Sequence, residues 1–228
     1  MNPEVQIRRK LGKDRSGEKS IRNTAGNSRH LIDTDPEEVA LRIDVREDDL
    51  VILQNWGATP EEIAGPVVGD DLCPKARTVA TRCITLPVSP HEAFPWIRQM
   101  GFGRAGWYSY DWIDNLGRRS ADAIHPEWQD VVTGSTIPGG PVAFEAVLVE
   151  VPRAFVLRFT GSGRWAQRVE FILAYELRDV PPGTRLVTRV HIHIAAPGGR
   201  WIERFFLGPG DGVMIRKQLL TLARRMST

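Results

Sequence analysis

The sequence holds only two cysteines, Cys73 and Cys83, ten positions apart, and no Cys-x-x-Cys pair. That scarcity argues against a disulfide framework or a zinc knuckle and fits a reducing compartment. Eighteen apolar residues never run together, and the amino-terminal MNPEVQIRRK lacks the apolar stretch of a signal peptide, so a cytoplasmic protein without membrane insertion is expected. Net charge is small as well, +2 over the chain, but it is uneven. Residues 1–30 carry eight Lys or Arg against Glu4, Asp14 and Glu18, about +5, which leaves the rest near −3. A nucleic-acid binder needs a basic surface to neutralise phosphates; only the tail offers one, so no specific nucleic-acid partner is expected. Also missing are a nucleophile beside a base, a metal-ligand cluster and a phosphate loop. Neither a metal nor a cofactor is expected.

What is present is the composition of an ordinary globular chain: 228 residues, 42% hydrophobic and 25% charged, enough for one main domain with a sizeable core. Residues 1–36, rich in Arg, Lys, Ser, Asn and Gly without hydrophobic period, read as a disordered basic tail. Residues 37–77 read as a lead-in that packs on the domain, with a helix start at Thr59-Pro60-Glu61-Glu62. The main domain, residues 78–228, opens with the β-rich TVATRCITL and then SPHEAFPWIRQM, where Ser89 and Glu92 form a capping box around Pro90. Pro95 predicts a kinked or short helix, because it removes one hydrogen bond and strains the preceding turn.

After an aromatic-rich insertion (101–134) come VAFEAVLVEV (142–151), AFVLRFT (154–160), RWAQRVEFILAYELRD (164–179) and TRLVTRVHIHIA (184–195), all of strand composition. Connections this short join antiparallel neighbours, which gives a meander. Phe171, Leu173, Tyr175 and Leu177 line one face of the longest strand, and Glu170, Glu176 and Arg178 the other, so one side of the sheet is expected to be dry. DGVMIRKQLLTLARRM supplies the cover: Ile215, Leu219, Leu222 and Met226 recur at helical spacing behind a cap at Asp211. The expected fold is α+β, a curved antiparallel sheet gripping a long carboxy-terminal helix, with a pocket between them.

NWGATPEEIAGPVVGDDL, PWIRQMGFGRAGWYSYDWIDNLG, HPEWQDVVTGS and GDGVMIRKQLL together resemble the SRPBCC superfamily, the START-like or polyketide cyclase/dehydrase-like helix-grip proteins, and within it a bacterial branch with a W-Y-S-Y-D segment. The resemblance runs from about Asn55 to Met226. It implies a START/Bet v 1-like helix-grip fold but not one function, since such proteins variously carry lipids, bind hormones or cyclise polyketides.

Three motifs need weighing. GFGRAG (101–106) matches the dinucleotide fingerprint by letter, but a capped helix precedes it and no βαβ unit follows, so its glycines read as a flexible loop. His191 and His193 share a strand face, yet no third metal ligand is evident, and Arg185 and Arg189 lie on that face; the histidines are expected to face solvent. GWYSYDW (106–112) has two readings. In one, Ser109 caps a helix through Leu116, Tyr108 and Ile113 form a hydrophobic staple, and Asp111 favours the helix dipole by roughly 0.3–1 kcal/mol. In the other, Trp107, Tyr108, Tyr110, Trp112 and Trp128 line a pocket, and Asp111 with His125 serves as an acid–base pair, with Glu127 and Gln129 as further polar contacts.

The leading expectation is a binder of a small, mostly apolar organic ligand held between sheet and carboxy-terminal helix. Phe144, Leu157, Phe159, Phe171, Leu173, Tyr175, Met214 and Leu219 are further candidate walls, each of which serves equally as plain core. The alternatives are a metal-free polyketide cyclase or dehydrase that transfers protons through Asp111 and His125, and a regulatory module acting through the tail.

Overall fold

The computed structural model describes residues 53–203 and 208–227. The basic tail and the part of the lead-in before residue 53 lie outside the described residues. Six strands form one antiparallel sheet in the order β1-β6-β5-β4-β3-β2. They are β1 (Thr78–Leu86), β2 (Thr136–Pro138), β3 (Ala143–Glu150), β4 (Ala154–Thr160), β5 (Val169–Val180) and β6 (Gly183–Ile194). From β2 to β6 the strands follow as a meander, and β1 closes the order against β6, with Thr78 opposite Ile192 and Leu86 opposite Thr184. A register shift between Ala146 and Leu148 bends β3. The five residues 164–168, read as the start of the longest strand, fold differently: Gly163–Ala166 make a helical turn, and the strand begins at Val169.

The helices are α1 (Pro60–Ala64), α2 (Pro90–Arg98), α3 (Asp111–Asp114), α4 (Gly163–Ala166), α5 (Gly199–Ile202) and α6 (Gly208–Arg225). Ser89 caps α2 through a complete capping box, and Pro95 sits inside a helix of only nine residues. Across the sheet lies α6, the longest helix among the described residues, whose Ile215, Leu219 and Leu222 are buried with Leu173, Tyr175, Leu177, Leu186 and Val190 in one apolar cluster. Sheet and helix together make the α+β helix-grip arrangement. Asp211 does not cap α6; the helix starts at Gly208, and the Asp211 carboxylate instead accepts a hydrogen bond from Arg82 Nη1 at 2.7 Å. Among the described residues no helix is long and apolar enough to cross a membrane.

The other face of the sheet is not left to solvent. Ile172, Ala174, Val156 and Val187 are buried there with Val67, Cys73 and Cys83, and Val68, Leu72 and Ala76 pack against them. Charge fixes this cover in place. Arg189 Nε donates to Thr81 Oγ1. Its Nη1 donates to Asp70 and to the Gly65 carbonyl. Its Nη2 donates to the Glu62 and Ile63 carbonyls, which lie at the end of α1. A guanidinium has five N–H groups, and all five are used. Arg185 grips Glu62 through two bonds of 2.7 and 2.8 Å. Glu62 also closes the capping box of α1. Its carboxyl is held down at about 2, chiefly by the Arg185 hydrogen bonds, with burial pulling the other way.

This cover corrects the expectation for the HIH segment. His191 is buried, with Nε2 3.4 Å from Asp70 Oδ1, and burial lowers its pKa. Among the described residues no group of three or more His, Cys, Asp or Glu is placed to hold a metal ion. Cys73 and Cys83 are free buried thiols, raised by burial to about 11 and about 12. Thiols held that high carry almost no thiolate and are poor nucleophiles at neutral pH.

Candidate functional site

Between the sheet and α6 is a cleft of about 180 Å³. Its walls are Trp107 and Ser109 of the insertion, Asp114 of α3, Gly139, Val142 and Phe144 around β3, Phe171 and Leu173 of β5, and Asp211, Met214, Ile215 and Gln218 of α6. Alternation on β5 points Phe171 and Leu173 to the same side, and helical spacing brings Asp211, Met214, Ile215 and Gln218 to face them. Phe144 meets Trp107 edge-on at 5.4 Å and lies 6.1 Å from Phe171. A dry apolar cavity of ~150 Å³ suffices to take up benzene, so a space of this size is large enough for a small ring compound.

Internal hydrogen bonds fix the polar floor. Tyr175 donates to Gln218 Oε1 at 2.8 Å, and Gln218 Nε2 donates to the Trp107 carbonyl at 2.8 Å. Three elements, β5, the insertion and α6, are thereby tied at one side chain. Burial raises the Tyr175 hydroxyl far above its ordinary range. Ser109 Oγ donates to the Met214 carbonyl at 3.0 Å. Asp211 is raised by burial and held as an ion pair by Arg82. Asp114 differs from all of these. Both of its carboxylate oxygens are buried without a hydrogen-bond partner, and no cation pairs with it among the described residues. Burial, reinforced by the neighbouring Asp111 charge and opposed by its own main-chain N–H, raises its pKa to about 6.

Of the residues expected at a site, Trp107, Phe144, Phe171, Leu173 and Met214 line the cleft. Leu157, Tyr175 and Leu219 are buried core behind it, and Phe159 contributes an edge contact to Phe144 at 6.2 Å. Tyr108 is fully buried on the other side of the insertion, where its hydroxyl accepts from Gln99 Nε2 at 2.6 Å and its ring meets Trp96. Tyr110 carries Lys217 over its ring at 6.0 Å. Trp128 stacks with His125 at 4.3 Å. Trp112 is 73% exposed, so it walls nothing.

The GWYSYDW segment also folds differently from expectation. Its helix is the single turn Asp111–Asp114 behind Tyr110, with no side-chain cap, so neither the Ser109 cap nor the Tyr108–Ile113 staple forms. Leu116 adopts φ 50° and ends the turn. Asp111 Oδ1 accepts from the Ser120 hydroxyl at 2.6 Å and the Ser120 N–H at 3.1 Å, and that hydroxyl accepts from Tyr108 N–H. Asp111 is thus a brace within the insertion. His125 contacts Glu127 at 3.3 Å near the surface, and neither Asp111 nor His125 lines the cleft. GFGRAG closes on itself, since Gly101 and Gly106 exchange hydrogen bonds of 3.1 and 3.0 Å. A side chain at Gly106 would meet Ser120 Oγ at 2.5 Å, and its φ of 74° suits only glycine well.

No family model matches the chain, and no curated protein does. Solved structures with a similar fold include the Aha1 dimer from Colwellia psychrerythraea, at 15% identity and a TM-score of 0.43, covering 65% of this chain and 96% of that one. A Polyketide_cyc-like protein from Corynebacterium glutamicum is 15% identical with a TM-score of 0.33, covering 65% and 91%. Ara h 8.0201 is 11% identical with a TM-score of 0.40, covering 64% and 97%. Likeness at this level is one of general fold and extends to no ligand, activity or partner. The strand order and the helix across the sheet make a helix-grip arrangement.

Proposed function

We propose that this chain binds a small, mostly apolar organic molecule in the cleft between the sheet and α6. The observation that carries the proposal is the cleft itself, about 180 Å³ walled by Trp107, Phe144, Phe171, Leu173, Met214 and Ile215. Apolar area removed from water is worth about 25 cal/mol per Å², so a guest of benzene size gains its affinity from burial without any chemistry. A proton relay through Asp111 and His125 has less support, because Asp111 is engaged by Ser120 and His125 by Glu127 and Trp128. The carboxyl with a pKa suited to proton transfer near neutrality is Asp114, and an acid–base role on a bound molecule would fall to it.

Native mass spectrometry of freshly purified protein tests binding directly. A retained small molecule, or 1:1 uptake of an added apolar probe that Leu173→Trp reduces at least tenfold, is the expected result. Absence of a retained molecule together with no saturable probe binding would overturn the proposal.

A further inference from the structure

Resting on that reading of the cleft, we infer that its guest is an apolar amine, whose ammonium group pairs with Asp114 while its hydrocarbon part fills the space between Phe171, Leu173 and Met214. The inference starts from the charges on the cleft. Among the described residues its lining contains two carboxylates, Asp114 and Asp211, and no lysine, arginine or histidine. Asp211 has its own cation, Arg82, at 2.7 Å. Gln218 and Ser109 have their hydrogen bonds within the protein. Asp114 alone among the lining residues has buried oxygens with no partner. Its neighbour does not relieve it, since Asp111 on the same turn is a like charge.

An uncompensated buried carboxylate is costly, and a group that brings donors and positive charge removes that cost on arrival. An ammonium supplies both, as a charge-assisted hydrogen bond. A fatty acid or other carboxylate does the opposite, since it adds a third negative charge to a site whose described lining holds no cation. The cleft therefore selects among apolar compounds by the sign of their polar end. Its walls set the size, and Asp114 sets the charge.

The test uses three probes of one shape, benzylamine, benzyl alcohol and benzoate, titrated at neutral pH into the full chain and into Asp114→Asn by protein-observed NMR. The expected order is benzylamine tightest, at least tenfold over benzoate and several-fold over benzyl alcohol. In Asp114→Asn the amine should fall to the level of the alcohol, with the alcohol itself unchanged within about twofold, which also shows that the variant is folded. Equal binding of amine and benzoate, or amine affinity unmoved by Asp114→Asn, would overturn the inference while leaving the apolar cleft intact. Failure of all three probes to bind saturably would remove the cleft reading and the amine with it.

Discussion

The two faces of the sheet are covered by opposite strategies. Beneath the lead-in, charges are numerous and paired with one another: Arg189 uses all its donors, and Arg185 holds Glu62 by two bonds. Beneath α6, charges are few, and one of them, Asp114, has no hydrogen-bond partner among the described residues. A closed ionic lock does nothing except hold segments together. A hollow with an unmet carboxylate is a poor way to hold anything and a good way to receive something. The difference separates the face closed by ion pairs from the face proposed to bind.

The sharpest break of the comparison is Arg189→Met. Removing one partner of a buried, fully bonded network strands Asp70 and three main-chain carbonyls, so denaturant unfolding should show a loss of about 3–5 kcal/mol. Probe binding by the protein that remains folded should persist, because Arg189 is on the other face. Next in size is the opposed pH behaviour of two carboxyls. Glu62 is depressed in the fold to about 2 from 4.5, so its contribution is present above pH 4.5 and is lost as pH falls toward 2. Glu62→Gln should cost roughly 2 kcal/mol at neutral pH, and the deficit should shrink through that window.

Asp114 has the reverse sign. Its folded pKa of about 6 exceeds the ordinary 3.8, so the folded state binds the proton more tightly, and stability falls as pH rises through that interval. Asp114→Asn should therefore be more stable than the parent above pH 6, by roughly 1–2 kcal/mol after allowing for its partial exposure, and no different below pH 4. Thermal unfolding of the two proteins across pH 3.5 to about 7.5 measures the difference. The smallest effect belongs to Trp112→Ala. That indole projects into solvent, so stability and probe affinity should stay within about 0.5 kcal/mol by the same assays.

Local signals in the sequence were reliable where local physics decides. Ser89 with Glu92 marks a real capping box, TVATRCITL and AFVLRFT are strands over their full lengths, and the alternation of Phe171, Leu173, Tyr175 and Leu177 gives the helix-facing side of β5. Of the cleft wall, Phe171 and Leu173 followed from that alternation and Ile215 from the helical period of α6. The lead-in face was hidden because Ile172 and Ala174 sit among Glu170, Glu176 and Arg178, so the strand reads as half polar although its centre is covered. Asp114 was missed for a related reason. Beside Asp111 it looks like one more acid in a first turn, and its burial depends on residues about a hundred positions away in α6. Gln218, set between Lys217 and Leu219, gives no sign that it joins three elements. The four aromatics in GWYSYDW divide between one cleft wall, Trp107, one buried ring, Tyr108, one ring under Lys217, Tyr110, and one exposed ring, Trp112.

The central claim, that the face under α6 is hollow and the face under the lead-in is not, is tested most directly by methyl-detected NMR during titration with benzyl alcohol. The account predicts saturable shifts at the Leu173, Met214 and Ile215 methyls and none at Val67, Val156 or Val187. Shifts on the lead-in face, or none at the cleft up to the solubility of the probe, would contradict it.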